Sequence, residues 1–183
     1  MRKSVRTWVA ITAVLFGASV CMAEQIDNPQ YKNWAKFKPG TSVTMKMSSK
    51  MGETATESET TSTLVEVNGD KAVVETKMSM TVAGNKMDMP AQKQEIPAKI
   101  EKPAATPAST APAATVTTEE VDAAGKKVKC NVTETTNTAN GMNTKSKTWT
   151  SDEVPGMMVK SETTMDGAMK GTTTMNLTAM TIK

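Results

Sequence analysis

Lys71-Ala72-Val73-Val74-Glu75-Thr76-Lys77-Met78-Ser79-Met80-Thr81-Val82 decides the fold class. Ala72, Val74, Thr76, Met78, Met80 and Val82 take every second position, with Glu75, Lys77, Ser79 and Thr81 between them. A period of two sorts side chains onto the opposite faces of a β-strand, and an α-helix does not sort them this way. Asn68-Gly69 just upstream is a strong short hairpin signal, and Leu64-Val65-Glu66-Val67 ends the partner strand. Further back, Val43, Met45 and Met47 alternate with Ser42, Thr44, Lys46 and Ser48. Residues 54–63 are polar and read as an edge strand. Downstream, Gly84-Asn85 offers another turn and Met87 and Met89 start a strand. Pro90 has no N–H for a ladder, so it directs that strand to a sheet edge or a bulge.

The pattern resumes in the second half. Val116 to Val121 forms a strand, Asp122-Ala123-Ala124-Gly125 turns it, and Val128, Cys130 and Val132 share one face of the next. Asn140-Gly141 turns the chain again, and a polar strand runs to Trp149. Val154-Pro155-Gly156 breaks the chain, and a last hairpin turns around Asp166-Gly167. About 8–9 strands joined by short turns predict a mainly β protein: a curved antiparallel sheet, half-barrel or flattened barrel with a short N-terminal helix.

That helix is placed at residues 28–38. Asn28 caps it and Pro29 takes its first position. Tyr31, Trp34 and Phe37 recur every three residues on one side, and Pro39-Gly40 ends it. An aromatic stripe at this spacing reads as a plug for one end of the core. Residues 101–115 are Pro/Ala/Thr-rich without a large apolar side chain, so they read as an extended loop interrupting a single domain, 24–183.

Residues 1–23 have the layout of a cleaved secretory signal. Arg2, Lys3 and Arg6 precede an uncharged apolar run, Trp8 to Val20, and Cys21-Met22-Ala23 sets small residues around a cleavage site. The run is shorter than the ~20 residues a membrane-spanning helix needs, so no transmembrane anchor is expected after cleavage. Ala18-Ser19-Val20-Cys21 loosely matches a lipidation signal, which gives a second reading with a lipid anchor on Cys21. The expected location is periplasmic or extracellular.

Removal of this segment changes the balance of charge. The full chain has 22 basic and 19 acidic groups; residues 1–23 hold three of the former and none of the latter, leaving 19 of each. A neutral chain has no basic surplus with which to displace counterions from phosphates, so nucleic acid is not an expected partner. The remainder has 28 threonines, 14 of the 16 methionines and only Leu64 and Leu177 as leucines.

Val121, Gly125-Lys126-Lys127-Val128-Lys129-Cys130, Trp149 and Val154-Pro155-Gly156-Met157-Met158-Val159-Lys160 resemble the second half of the TapB-like exported envelope proteins of bacteria. Their fold is similar to that of the lipoprotein carriers LolA and LolB. The resemblance spans roughly residues 116–183. It implies a curved antiparallel sheet, often with a helix against its concave face, and it implies no catalytic residues.

The chain has no histidine. Nucleophile systems that rely on His, and metal sites that rely on imidazole, are therefore excluded. There is no phosphate-binding glycine loop and no CxxC. The expectation is a non-enzymatic, cofactor-free exported β-protein of the bacterial envelope, binding a hydrophobic ligand or an envelope partner protein on a face lined by Met, Val and Thr. The alternative is soft-metal binding, Cu(I) or Ag(I), through Met45, Met47, Met78, Met80, Met87 and Met89, with Cys130 as an added thiolate. Against it, methionine at alternating strand positions also serves as core lining. The third class is a structural or surface-assembly role, which a long polar edge strand at 54–63 would favour.

Overall fold

The computed structural model describes residues 25–82, 84–102, 114–139, 141–167 and 170–183. The expected signal segment, most of the Pro/Ala/Thr stretch, Asn140 and Met169 lie outside the described residues. In chain order the elements are β1 (Gln25–Asp27), α1 (Pro29–Trp34), β2 (Ser42–Met51), β3 (Thr54–Val67), β4 (Lys71–Val82), β5 (Asn85–Asp88), β6 (Gln92–Pro97) and β7 (Lys99–Glu101). They continue with β8 (Thr115–Ala123), β9 (Lys126–Ala139), β10 (Met142–Thr150), β11 (Met158–Asp166) and β12 (Gly171–Thr181).

Ten strands form one antiparallel sheet in the order β5-β4-β3-β2-β12-β11-β10-β9-β8, with β6 also paired to β4, and the sheet does not close into a barrel. β1 and β7 make a separate two-stranded piece. Two up-and-down runs are thus joined where β2, the first strand of one, pairs with β12, the last strand of the other. Residues 54–63, expected at an edge, lie inside the sheet. β3 is hydrogen-bonded on both sides, with Glu59 opposite Lys46 and Ser79. Its polarity reflects an exposed outer face and small inner-face side chains rather than a free edge. Pro90 does sit at an edge: it falls in the break between β5 and β6, which share one side of β4.

The turns follow local chemistry. Ala124 and Gly125 both have positive φ, 51° and 74°, which a two-residue hairpin with the right-handed twist of its strands requires. Asn68-Gly69 also turns the chain, but by a different device. The Asn68 side-chain oxygen accepts from the Asp70 and Lys71 amides at 3.0 Å, an Asx turn that leaves Gly69 without a left-handed conformation.

Helix α1 starts where expected. The Asn28 side chain accepts from the Gln30 amide at 3.0 Å, and Pro29 follows the cap. The helix stops at Trp34, so Phe37 lies in the turn beyond it. Trp34 is buried and Tyr31 and Phe37 pack beside it, as the plug reading requires.

One contiguous apolar cluster joins Trp34, Val43, Leu64, Val74, Ile96, Val128, Cys130, Val132, Trp149, Val154, Val159 and Leu177. Each strand residue among them lies in the part of its strand nearest α1. The opposite turns, 51–54, 139–142 and 166–171, bury no large apolar side chain among the described residues. Three register shifts, at Leu64/Glu66, Trp149/Thr150 and Leu177/Ala179, bend the strands at the α1 end. β8 comes within 8 Å of β12 although three strands separate them. A flat sheet would hold them about 19 Å apart, so this edge curls over.

The loop Ser151–Met157 ties α1 to the sheet. Asn33 is 2% exposed; its Nδ2 donates to the Asp152 carbonyl at 3.2 Å, and its Oδ1 accepts from the Gly156 amide at 2.7 Å. Gly156 has φ +79°, and a Cβ there would stand 3.4 Å from the Trp34 ring. Replacing Asn33 with Ala should cost about 1–3 kcal/mol, because the Asp152 carbonyl and the Gly156 amide both lose their partner and a buried side chain is truncated. Urea unfolding of Asn33→Ala against wild type measures this, and an unchanged midpoint would refute the tie.

Candidate functional site

Residues opposite one another in an antiparallel pair point to the same face. Following the register from the β5/β6 edge to β10 assigns one face to Met87, Gln92, Gln94, Val74, Thr76, Met78, Met80, Ser58, Thr60, Ser62, Val43, Met45, Met47 and Ser49. It continues through Thr173, Met175, Leu177, Ser161, Thr163, Thr144, Ser146 and Thr148. Across these eight strands no position on this face carries a charge. The charges fall on the other face: Lys46, Lys50, Glu57, Glu59, Glu75, Lys77, Lys86, Asp88, Lys93, Glu95, Lys145, Lys147, Lys160 and Glu162.

The uncharged face is the one that carries α1. Gln30 and Trp34 meet Val43, Met45, Ser62, Val74, Thr76, Gln94 and Ile96 around a cleft of about 200 Å³. Beyond this cleft, Met47, Ser49, Thr60, Met78, Met80 and Thr163 are half-buried, whereas Lys46, Lys50, Glu57, Glu59 and Lys77 on the back are exposed. Over β2–β4 the uncharged face is therefore the more shielded, inner one; on β9 and β10 the burial reverses, with Val128, Cys130, Val132 and Trp149 buried on the charged side. Hydroxyl pairs satisfy the polar groups of the uncharged face internally. Ser49 and Thr173 Oγ atoms lie 3.0 Å apart, and Ser146 and Thr163 Oγ atoms 3.2 Å apart.

All the methionines singled out from the sequence lie on this inner side. Met45 and Met47 share it on β2; Met78 and Met80 share it on β4, with β3 between the two pairs. Met80 is directly opposite Met87, and the Met89 amide donates to the Met78 carbonyl at 2.8 Å, which extends that pairing by two residues. Met47 is also directly opposite Met175. Cys130 is not with them. It lies on β9 with Val128 and Val132 on the other side of the sheet, 1% exposed, and burial pushes its thiol above the ordinary value. Among the described residues no group of three or more His, Cys, Asp and Glu could hold a metal ion.

The outer face has an anchor of its own. Trp149 is 4% exposed although it sits among charges. Lys147 and Lys160 place their ammonium groups 4.9 and 4.7 Å from its ring centroid. Its Nε1 donates to Glu119 at 2.9 Å, while Lys147 bonds Glu119 and Glu134, both at 3.0 Å. The hydrogen bond from Trp149, then that from Lys147, holds the Glu119 carboxyl below its ordinary value of 4.5. The sequence reading placed Trp149 at the end of a polar strand and missed this arrangement. Its signal was the alternation Lys145, Lys147, Trp149, which puts the ring on the charged side.

Comparison of the chain with protein-family models, with curated proteins and with solved structures finds no match. Among the described residues no helix is long and apolar enough to cross a membrane.

Because Glu119 is more acidic in the folded chain, its contribution is complete above its unfolded value and is lost as the pH falls through the lowered folded value. Glu119→Gln should therefore lower the melting temperature at pH 7, and the gap to wild type should close as the pH drops below 4.5. A gap that stays constant down to pH 2 would refute the assignment.

Proposed function

We propose that this chain is an exported, non-enzymatic β-protein of the bacterial envelope that holds an apolar ligand on its inner face. The observation that carries the reading is the segregation of charge: eight adjacent strands present no charge on the side that bears α1 and charges on the other. Outward solubility alone does not require the half-exposed inner face to be free of charge as well. Apolar ligands are bound by concave, largely apolar surfaces with a few polar groups, and Met, Val and Thr side chains with flanking Gln94 and Ser62 supply that mixture. The cleft of about 200 Å³ falls below the roughly 300–1,000 Å³ of sites that enclose a small molecule. The ligand then rests one end beside Trp34 and extends along the Met and Thr rows. Methionine suits such a surface because its unbranched side chain adapts to different shapes.

Export rests on the basic, apolar and small-residue layout of residues 1–23. The resemblance of residues 116–183 to TapB-like envelope proteins belongs to the same proposal.

A fluorescent apolar probe tests it. Binding should quench Trp34 emission, and Met45→Lys should weaken binding at least about tenfold, or ~1.4 kcal/mol, because it places a charge in the cleft. Met45→Leu should bind as wild type does. Equal binding by the Lys and Leu variants, with both folded by circular dichroism, would sink the reading.

A further inference from the structure

Two of the inner-face methionines are not accounted for by core lining. Met87 is 56% exposed and Met89 is 48% exposed, on the edge strand and just beyond it. They stand directly across from Met80 and Met78, which are half-buried. The four residues form a rectangle over two adjacent strands. Its short sides are cross-strand pairs with Cβ atoms ~4.5–5.5 Å apart, and its long sides join alternate residues ~7 Å apart. Each sulfur lies two freely turning bonds beyond its Cβ, so all four can reach one point above the centre. Met78 and Met89 already line a common cleft of about 120 Å³ with Thr76, Pro90 and Gln92. Pro90 ends the backbone pairing to β4 immediately after Met89.

We propose that Met78, Met80, Met87 and Met89 form a binding site for a soft monovalent ion, Cu(I). Neutral thioethers favour soft ions and have little affinity for hard divalent cations. Lys86 and Asp88 alternate with the methionines and belong to the other face by register, so the four positions of the ring itself are all neutral thioethers. The edge position leaves the site open to solvent for loading. Its cleft adjoins the one beside Trp34, sharing Thr76, but the four sulfurs do not depend on an apolar ligand being bound there. Met45 and Met47 are separated from it by β3, and Cys130 by the sheet itself, so the site takes neither.

The test is an anaerobic titration of the full chain with Cu(I) against a chromophoric Cu(I) chelator. One equivalent should be withheld from the chelator. Met80→Leu/Met87→Leu should weaken binding by more than the roughly hundredfold that loss of a group merely supporting the ligands costs, since Leu keeps the volume and removes the sulfur. Met142→Leu/Met165→Leu, on β10 and β11 across the sheet from β5, and Cys130→Ser, each folded by circular dichroism, should bind as wild type does. X-ray absorption of the copper form should show sulfur neighbours alone. Failure to withhold copper, wild-type binding by Met80→Leu/Met87→Leu, or loss of binding in Cys130→Ser would each overturn the proposal.

Discussion

The pairing of β2 with β12 holds the rest of the structure together. Its register runs from Gly171 opposite Met51 to Thr181 opposite Ser42, with one shift at Leu177/Ala179. Each of the two up-and-down runs is built from local hairpins, but neither contains a complete core. Val43 and Leu64 belong to one run, Val159 and Leu177 to the other, and they meet because β2 and β12 are neighbours. Side chains reinforce the seam. Ser49 and Thr173 hydroxyls bond across it, Thr178 Oγ1 donates to the Thr44 carbonyl at 3.2 Å, and the Lys183 amide donates to Thr41 Oγ1 at 3.1 Å. The same seam makes the uncharged inner face continuous, since Met47 and Met175 face each other over it.

The unusual composition follows from a core confined to one end. A 14-residue strand such as β3 or β9 extends about 46 Å, and only the part nearest α1 is covered by a helix or a loop. Two leucines, a handful of valines and Trp34 suffice there. Further along, the sheet is a single layer, and each residue must suit a pleated surface with solvent on both sides. Threonine meets that need because its branched Cβ favours the extended chain and its hydroxyl bonds across strands. Charge pairs do the same on the outer face; Lys46 lies 3.2 Å from Glu57 across the β2–β3 pair, and Lys160 2.8 Å from Glu162 along β11. Such exposed pairs each contribute little.

Much of this was legible from alternation and turn residues. The run 71–82 gave β4 with the correct residues on each face, Asn28-Pro29 gave the start of α1, and Pro90 gave the edge. Those signals are local, so they survive in one dimension. Strand order is not local. Residues 54–63 read as an edge because a polar strand ordinarily fits there, whereas its place between β2 and β4 depends on two hairpins turning the same way. The charge-free face was present strand by strand in the sequence, as Glu75 and Lys77 against Thr76 and Met78 illustrate. It became one surface only once the β2–β12 neighbourhood was known. For the same reason the sequence could not separate Cys130 from the methionines: spacing within β9 gives its partners Val128 and Val132 but not which side of the sheet they share with β4.

The central position of β12 also governs when the sheet can form. The strand in the middle of the sheet follows all the other described strands in sequence, so during synthesis β2 and β11 must wait with unpaired edges until residues 171–181 arrive. Contacts of such long sequence separation form slowly, and unpaired strand edges invite association with other chains. The waiting edges carry Lys46, Lys50, Lys160 and Glu162 and are otherwise rich in Ser and Thr, a composition that keeps a half-made sheet from joining its neighbours. It follows that loss of residues 171–181 would not trim a border of the sheet. It would remove the middle, dividing the molecule into two ribbons, each with an additional exposed border.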